Sequence, residues 1–270
     1  MAAAARDLAL RLGSVSHATW CNLFAATGAA TFPVLFFVSA PYGKAFRRGW
    51  GTPLSGRWGW AVQEVISPVV LLFCWYTARL SEPLFAPVPV HVFLFLWCLH
   101  YANRAVLYPL QRHMNNTTLP VVLSAVAFNL VNGALVGTEL ATRTAEQLPG
   151  WWDLTRPRVV AGLLLMAFGA WLNISSDARL RALRARVPGD RSYHIPAGGL
   201  FTHCCCPHYL GEILEWTGFA IATATRSGYV FAFWTFANLA PRAWTTRQWY
   251  RAKFKDRFPA STKALVPFVF

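Results

Sequence analysis

Several apolar stretches in this chain are long enough to cross a lipid bilayer, and they constrain the fold more than any other feature. A helix needs about 18 to 20 mostly apolar residues to span the hydrocarbon core of a bilayer. A soluble protein of this length would interrupt such stretches with polar helix faces. We therefore predict seven transmembrane helices, at residues 17–40, 60–78, 88–109, 119–140, 158–176, 208–224 and 228–241.

Composition supports this fold class, since 55% of the residues are hydrophobic and only 13% are charged. An average soluble domain carries roughly 25% charged residues. No repeat or linker divides the chain, which favours one domain over residues 1–270. We expect an all-α integral membrane protein, folded as a single bundle of seven transmembrane helices.

The formal charge of +14 raises the possibility of a nucleic-acid partner. The basic residues fall between apolar segments, however, and form neither a groove-binding helix nor an aromatic platform for RNA. We therefore expect no nucleic acid, and nothing in the sequence indicates an obligate protein partner. With the N-terminus outside and the C-terminus in the cytosol, 17 of the 25 Lys and Arg residues lie on the cytosolic side. That asymmetry is typical of membrane proteins and predicts this orientation.

Polar side chains inside the predicted spans are candidate functional groups, because an ionisable group at membrane depth costs at least a few kcal/mol. Any one of them could simply hold two helices together. Four groups on different helices instead favour a polar cavity within the bundle. These groups are Gln63 with Glu64, His100 and Tyr101 with Arg104, Asn173 through Asp177, and Glu212 with Glu215.

The segment Arg179–His208 is predicted to be a cytosolic loop that is rich in arginine and contains Gly198 and Gly199. Guanidinium groups pair with phosphate oxygens in a two-pronged geometry, so the loop could bind a polyanion. The same charge could also serve only to orient the protein in the membrane. No glycine-rich phosphate-binding motif is present, so side chains would have to hold a nucleotide.

The sequence His203-Cys204-Cys205-Cys206 raises the question of a metal site. Zinc sites usually separate their thiolate ligands by two to four residues, which lets the ligands converge on one ion. Three adjacent cysteines point in different directions. We therefore predict no metal site.

An ordered series of motifs from about residue 57 to the C-terminus resembles the steroid 5α-reductase family. Each motif alone is weak, but the full series at similar spacing is specific, and only about the first 55 residues match poorly. The motifs are AVQE (61–64), HYANR (100–104), YP (108–109), NISSD (173–177), YHIPAGGLF (193–201), YLGEILEW (209–216) and KALVPFVF (263–270).

The resemblance implies a seven-helix enzyme that reduces the Δ4 double bond of a 3-oxo steroid with NADPH, with the catalytic and cofactor half at about 119–270. It implies that Gln63, Glu64 and Tyr101 meet the 3-oxo group of the steroid. The positions that match cofactor-binding residues of the family are Asn173, Asp177, Arg184, Tyr193, Glu212 and Tyr250, to which we add Arg104, Arg181 and His208.

The chain departs from the family pattern at His208, where relatives commonly have Asn, and at His194 and Thr246. These departures affect the details of cofactor contact. The same hydride chemistry would also suit a trans-2-enoyl-CoA or polyprenal reductase, and a related C-terminal pattern occurs in membrane methyltransferases that use S-adenosylmethionine. A seven-span receptor or transporter would leave Glu64, Tyr101 and Glu212 unexplained. The expected location is a bacterial inner membrane or the endoplasmic reticulum membrane, in contact with lipid and with a lipophilic enone substrate.

Overall fold

The computed structural model describes residues 15–38, 41, 46, 49–80, 88–112, 114–142, 153–185 and 193–270, and long helices dominate this part of the chain. The end of the predicted first span (39–40) and residues 186–192 of the predicted loop lie outside the described residues. The helices are α1 (His17–Phe37), α2 (Gly56–Arg79), α3 (Val88–Tyr101), α4 (Leu119–Thr142), α5 (Pro157–Ala185), α6 (Pro207–Thr223) and α7 (Arg226–Phe254).

Shorter elements connect these helices. A π-helical segment, Ala102–Leu107, continues α3 directly and ends in one α-helical turn, Tyr108–Leu110. Two short antiparallel strands, β1 (Pro53–Leu54) and β2 (Thr117–Thr118), pair just before α2 and α4. Two 3₁₀ turns, Gly199–Thr202 and Lys255–Arg257, precede α6 and follow α7.

Five of the described helical segments are long and apolar enough to cross a membrane. Large apolar side chains stand exposed along them, among them Phe73, Leu164 and Trp171, as expected where lipid replaces water as the solvent. The prediction of an all-α membrane protein is confirmed at this level. The five segments are His17–Phe37, Gly56–Thr77, Val90–Leu110, Leu119–Thr142 and Pro157–Leu183.

The structure corrects two predicted boundaries. Helix α5 continues to Ala185, so Arg179 and Arg181 lie on a helix and not in a loop. The run of Ala, Arg and Leu residues there has high helix propensity, which outweighs its polarity. Between α6 and α7, the turn lies at Ala224 and Thr225, just before the predicted position. Thr225 begins α7 by accepting a hydrogen bond from the Gly228 amide at 3.1 Å.

Helices α5 and α6 pack in backbone contact because glycines line their interface. A Cβ atom at Gly169 would lie 2.2 Å from the Glu215 nitrogen, and one at Gly211 would lie 2.4 Å from the Asn173 nitrogen. Gly162 and Gly218 repeat the pattern farther along the same two helices. Small residues are what allow membrane helices to approach this closely. The approach brings the polar end of α5 against the acidic face of α6.

An aromatic cluster forms the core between α3, α6 and α7. The ring of Trp97 lies 4.9 Å from Trp216, 5.4 Å from Phe219 and 5.2 Å from Phe231, measured between centroids. Trp97, Trp216 and Phe219 are fully buried. Tyr101 follows Trp97 by one helical turn, so the rigid core ends directly beneath the polar groups of the candidate site.

The segment that precedes α6 is held by the C-terminal region of the chain. The Cys205 amide donates to the Lys263 carbonyl at 2.9 Å, and the Lys263 amide donates to the His203 carbonyl at 2.9 Å. Cys204, Cys205 and Cys206 are all buried, and the six cysteines of the chain, each within the described residues, form no disulfide. In this segment the thiols act as small apolar side chains.

Candidate active site

The candidate site centres on the end of α3, where the backbone changes from α-helix to π-helix. His100 and Tyr101 are the last residues of α3, and Arg104 lies in the π-helical segment. The Tyr108 amide donates to the Asn103 carbonyl, five residues earlier, which is the π-helical pattern. His100 and Arg104 are four residues apart, so they face nearly the same side of the helix.

Two acid–base pairs join this part of α3 to α6. His100 Nδ1 lies 2.7 Å from Glu215 Oε1, and Arg104 donates to Glu212 Oε1 at 3.3 Å. All four side chains are largely buried. Pairing also matters for stability here, because a buried charge that has lost its partner is costly. His100 and Arg104, four residues apart on one side of the helix, therefore each reach one of the two acids, which are three residues apart on α6.

Glu212 also connects α6 to α5. The Asn173 side-chain amide donates to Glu212 Oε2 at 3.3 Å and to the His208 carbonyl at 2.9 Å. Four of the residues predicted to bind cofactor, Asn173, His208, Glu212 and Arg104, thus form one continuous group. The glycine contacts between α5 and α6 make this proximity possible.

The residues predicted to meet the substrate lie on α2, across from this group. Gln63 Nε2 donates to Glu64 Oε1 at 3.4 Å, and the Gln63 carbonyl accepts from Asn129 Nδ2 at 2.7 Å. The Glu64 carboxyl group has Arg104, Glu212 and His100 among its electrostatic neighbours. The structure therefore brings Glu64 and Arg104 together at the meeting point of α2, α3 and α6.

Trp60 attaches α2 to the π-helical segment. Its indole nitrogen donates to the Arg104 carbonyl at 3.0 Å, and the Arg104 guanidinium lies 4.7 Å from the indole ring centroid. Tyr108 also stacks near the same guanidinium, at 5.2 Å. Aromatic faces favour a guanidinium over an ammonium group at such a position. The Arg104 side chain is consequently held on three sides.

Arg112 is a site residue that the sequence did not single out. It donates to Asp177 Oδ1 at 2.6 Å and to the Tyr108 hydroxyl at 3.0 Å. Asp177 is buried at the polar end of α5, so Arg112 supplies the charge that balances it. In the sequence Arg112 appeared as a single loop charge. Its partner lies 65 positions away, and no local pattern reveals a pair of that separation.

The remaining predicted cofactor residues lie around the ends of α5 and α7. Tyr193 packs edge-on against Trp249 at 4.9 Å, and Tyr250 stacks on Phe258 at 5.3 Å. Arg181 is half-buried near the end of α5, one turn before Arg184. The Arg184 side chain lies outside what the structure describes. Tyr193 and Tyr250, with their aromatic neighbours, form what we call the rim, beside the end of α7.

The turn Gly198–Gly199 faces Arg179. Both glycines have a positive φ, 83° and 57°, a conformation that favours glycine because it has no Cβ atom. A Cβ atom on Gly198 would lie 3.3 Å from an Arg179 guanidinium nitrogen. The structure therefore brings the two features of the predicted phosphate-binding segment together, although Arg179 belongs to a helix.

Three potential metal ligands, His17, Cys21 and Glu139, meet at the end of the bundle where α1 and α7 begin. The Glu139 carboxylate accepts hydrogen bonds from the amides of Arg226 and Ser227 and from the Ser227 hydroxyl, at 2.6–2.9 Å. Cys21 Sγ lies 3.7 and 4.0 Å from the two ring nitrogens of His17. The Glu139 carboxylate therefore caps the start of helix α7.

Comparisons with known proteins identify the family. A family model described as 3-oxo-5-alpha-steroid 4-dehydrogenase matches residues 115–270. Steroid 5-alpha-reductase DET2 of Gossypium hirsutum is 39% identical over 252 residues, which covers 89% of this chain and 92% of that relative. The protein of the same name from Arabidopsis thaliana is 35% identical over 255 residues, 90% of this chain and 92% of the relative.

A mammalian relative matches over a somewhat smaller share of the chain. The 3-oxo-5-alpha-steroid 4-dehydrogenase 2 of Homo sapiens is 39% identical over 219 residues, which covers 81% of this chain and 83% of the relative. The motif series that suggested the family thus extends into similarity along most of the chain. Together with the apolar helices, these matches show that the chain belongs to the 3-oxo-5-alpha-steroid 4-dehydrogenase family, membrane oxidoreductases that act on CH–CH groups.

Proposed function

We propose that this protein reduces the Δ4 double bond of 3-oxo-Δ4 steroids to give 5α-steroids, with NADPH as the reductant. The names of the relatives support the steroid substrate. The observation that carries the proposal is the position of Arg104, which bonds Glu212 of the predicted cofactor group and neighbours Glu64 of the predicted substrate group. A hydride passes between two molecules only if their reacting atoms lie in contact, so the groups that bind the two molecules must adjoin.

Reduction of the enone adds a hydride to the β-carbon and then a proton to the α-carbon. Between the two additions the protein must stabilise negative charge on the carbonyl oxygen. Bound NADPH would supply that hydride. The Tyr101 hydroxyl would donate a hydrogen bond to the carbonyl oxygen, and a protonated Glu64 would donate a second. Gln63 would orient Glu64 through the contact between their side chains. The surrounding apolar bundle would exclude water and strengthen both hydrogen bonds.

The residues around Glu212 and Asp177 have the chemistry that NADPH needs. Asn173 and Glu212 offer an amide and a carboxylate that could pair with the carboxamide of the nicotinamide. Asp177 could accept from hydroxyl groups, while Arg181, Arg184 and the rim residues Tyr193 and Tyr250 could hold phosphates and the adenine. His208 takes the position next to Asn173. The Arg179 guanidinium beside the Gly198–Gly199 turn adds a further donor for phosphate oxygens.

We further propose seven membrane crossings in one domain, with the N-terminus outside and the C-terminus in the cytosol. The distribution of Lys and Arg supports this orientation. Helix α6 has 17 residues and α7 has 29. At about 1.5 Å per residue α6 alone would be slightly short for a bilayer, which the backbone-close packing against α5 would compensate. The cofactor groups would then open toward the cytosol, where NADPH is available.

The decisive experiment is product analysis after purified protein is incubated with NADPH and testosterone or progesterone. We expect the 5α-dihydro product, and we expect Tyr101→Phe and Glu64→Gln each to lower turnover about 100-fold or more while the protein still folds. Tyr229→Phe, which alters an exposed tyrosine on α7, is the matched control and should retain activity.

The alternatives give distinct outcomes in the same assay. Product from a trans-2-enoyl-CoA or a polyprenal, with none from the steroids, would overturn the proposed substrate but support the proposed reductase activity. Near-full activity of both Tyr101→Phe and Glu64→Gln would rule out the proposed hydrogen bonds. Failure of the folded protein to bind NADPH would overturn the proposal as a whole.

A further inference from the structure

Ser67 carries a buried hydroxyl group that the proposed mechanism leaves without a role. It lies on α2, one helical turn after Gln63, and is fully buried. Among the residues that the structure describes, its Oγ atom has no hydrogen bond of standard geometry. A buried hydroxyl without a partner costs about 1–3 kcal/mol, so such a group calls for an explanation.

The usual role of a serine or threonine within a helix does not account for Ser67. Such hydroxyls commonly donate to the carbonyl three or four residues earlier. Ser67 donates to neither carbonyl. Buried threonines elsewhere in this bundle do use the earlier carbonyl: Thr223 bonds Phe219 at 2.8 Å and Thr235 bonds Phe231 at 2.9 Å.

The backbone around Ser67 is also unusual. The Gln63 carbonyl, four residues before Ser67, accepts the Asn129 side chain at 2.7 Å. Pro68 follows Ser67 inside α2 and has no amide hydrogen to donate to the Glu64 carbonyl. The turn of α2 that carries Gln63, Glu64 and Ser67 therefore lacks one regular backbone hydrogen bond. The Ser67 hydroxyl nevertheless does not donate to either of these carbonyls.

The polar neighbour of Ser67 is Tyr101. The two hydroxyl groups lie side by side without a hydrogen bond of standard geometry between them. The Tyr101 ring is buried and held by Trp97 at 5.6 Å and by the His100 ring at 5.1 Å. Because those neighbours restrict the ring, a small adjustment of the Ser67 rotamer is the simplest way to join the two hydroxyls.

We propose that Ser67 is a positioning residue, whose hydroxyl donates to the phenolic oxygen of Tyr101 when the enone substrate binds. This inference rests on the proposed function. A phenol can accept one hydrogen bond while it donates another, so the Tyr101 hydrogen remains directed at the substrate carbonyl oxygen. As negative charge grows on that oxygen, the two hydrogen bonds polarise and strengthen each other. The effect is greatest in the transition state and therefore falls on kcat and not on KM.

The test compares Ser67→Ala and Ser67→Cys in steady-state assays with the steroid that wild type reduces. Alanine removes the hydroxyl with little change of volume, whereas cysteine keeps the shape of the side chain with a larger sulfur atom and is only a weak donor. The two variants therefore weaken the hydrogen bond in different ways, and a folding defect in one does not decide the result of the other. We expect kcat to fall about tenfold in both variants with KM nearly unchanged, since a tenfold change corresponds to one moderate hydrogen bond. In a Tyr101→Phe background, Ser67→Cys should cause no further loss.

Thr118→Val provides a matched control. Thr118 Oγ1 is a second buried hydroxyl without a standard hydrogen bond among the described residues. Thr118 lies in β2, about three helical turns before Asn129, and therefore away from the contact between Asn129 and Gln63. Thr118→Val should leave kcat unchanged.

Three outcomes would overturn the inference. Full activity of Ser67→Cys, or an equal loss with and without Tyr101→Phe, would show that Ser67 only fills space, with the proposed function intact. A wild-type protein that reduces no steroid would instead remove the proposed function, and the role of Ser67 with it.

Discussion

Arg104 donates to Glu212 Oε1 at 3.3 Å, and the other oxygen of the same carboxylate accepts from Asn173 at 3.3 Å. Arg104 also lies over the ring of Trp60 on α2. This single ion pair therefore links α2, α3, α5 and α6. A displacement of any one of these helices would therefore disturb both the predicted substrate group and the predicted cofactor group.

Two substitutions of Arg104 should distinguish the contribution of its positive charge from that of its planar shape. Arg104→Leu leaves the Glu212 carboxylate buried without its cation, which should destabilise the fold by about 3–5 kcal/mol. Arg104→Lys keeps the charge but cannot stack on Trp60 and bond Glu212 with a planar group. We expect Arg104→Lys to fold and to lose about tenfold or more in activity, a loss of about 1.4 kcal/mol in transition-state stabilisation.

Thermal unfolding in detergent and steady-state kinetics would measure these effects. Arg226→Lys is the matched control, because Arg226 is exposed and its hydrogen bond with Glu139 uses the backbone amide, which the substitution keeps. Equal stability of Arg104→Leu and wild type would contradict the assigned role of the ion pair.

The sequence predicted the components of this site because polar groups are conspicuous in apolar helices. Glu212 with Glu215, and Tyr101 with Arg104, were each recognisable as neighbours on a helix face from their spacing alone. The spacing did not reveal the π-helical turn, since it has no sequence signature. The spacing also did not reveal which acid each base meets, because the pairing of His100 with Glu215 and of Arg104 with Glu212 depends on how α3 docks against α6.

Features that depend on how helices dock were equally hidden. The extension of α5 to Ala185 was missed because the polar residues after Asp177 were interpreted as loop, although their helix propensity is high. The pair Arg112–Asp177 joins the segment after the π-helix to the polar part of α5, two parts of the chain that only tertiary packing brings together. Sequence reasoning identifies which residues are costly in a membrane, but tertiary packing decides their partners.

Arg112 should matter for binding of the cofactor. Arg112→Met retains much of the side-chain volume but leaves the buried Asp177 carboxylate without its cation, so Asp177 should no longer be held in place. We expect the Kd for NADPH to rise about tenfold, or about 1.4 kcal/mol, with a smaller change in steroid KM. Titration of protein fluorescence with NADPH would measure it. An unchanged Kd would contradict a role for the Arg112–Asp177 pair in cofactor binding.

Gly169 should tolerate no side chain. A Cβ atom there would lie 2.2 Å from the Glu215 nitrogen, which is backbone and cannot move aside. Gly169→Ala should therefore force α5 and α6 apart and destabilise the protein by at least about 1–3 kcal/mol. Because the separation would also move Asn173 from Glu212, activity should fall as well.

Ala167→Leu is the matched control for Gly169→Ala. It adds more volume on the same helix, but Ala167 is exposed on the outer face of α5. It should leave both the unfolding temperature and turnover close to wild type. Equal unfolding temperatures for Gly169→Ala and Ala167→Leu would show that the interface between α5 and α6 is more adaptable than its geometry indicates.

Cys204 should be inert while the protein is folded. Burial raises the pKa of the Cys204 thiol to about 12. The thiolate is the form that reacts with alkylating reagents, so at neutral pH almost none is present and the reagent cannot reach it. Mass spectrometry after treatment with iodoacetamide at pH 7.5 should find Cys204 unmodified in the folded protein and modified after denaturation.

The same raised pKa predicts how stability depends on pH. In the unfolded chain the thiol titrates near pH 8.5, whereas in the folded protein it keeps its proton until about pH 12. Between these values the unfolded state binds fewer protons, so the contribution of Cys204 is fully present below about pH 8.5 and is lost as pH rises toward 12. The unfolding temperature of wild type should therefore fall more steeply than that of Cys204→Ala between pH 8.5 and 10.5. Parallel curves, or rapid alkylation of Cys204 in the folded protein, would mean that the segment before α6 opens to solvent, and the contacts of Cys205 with Lys263 would then be too weak to hold it closed.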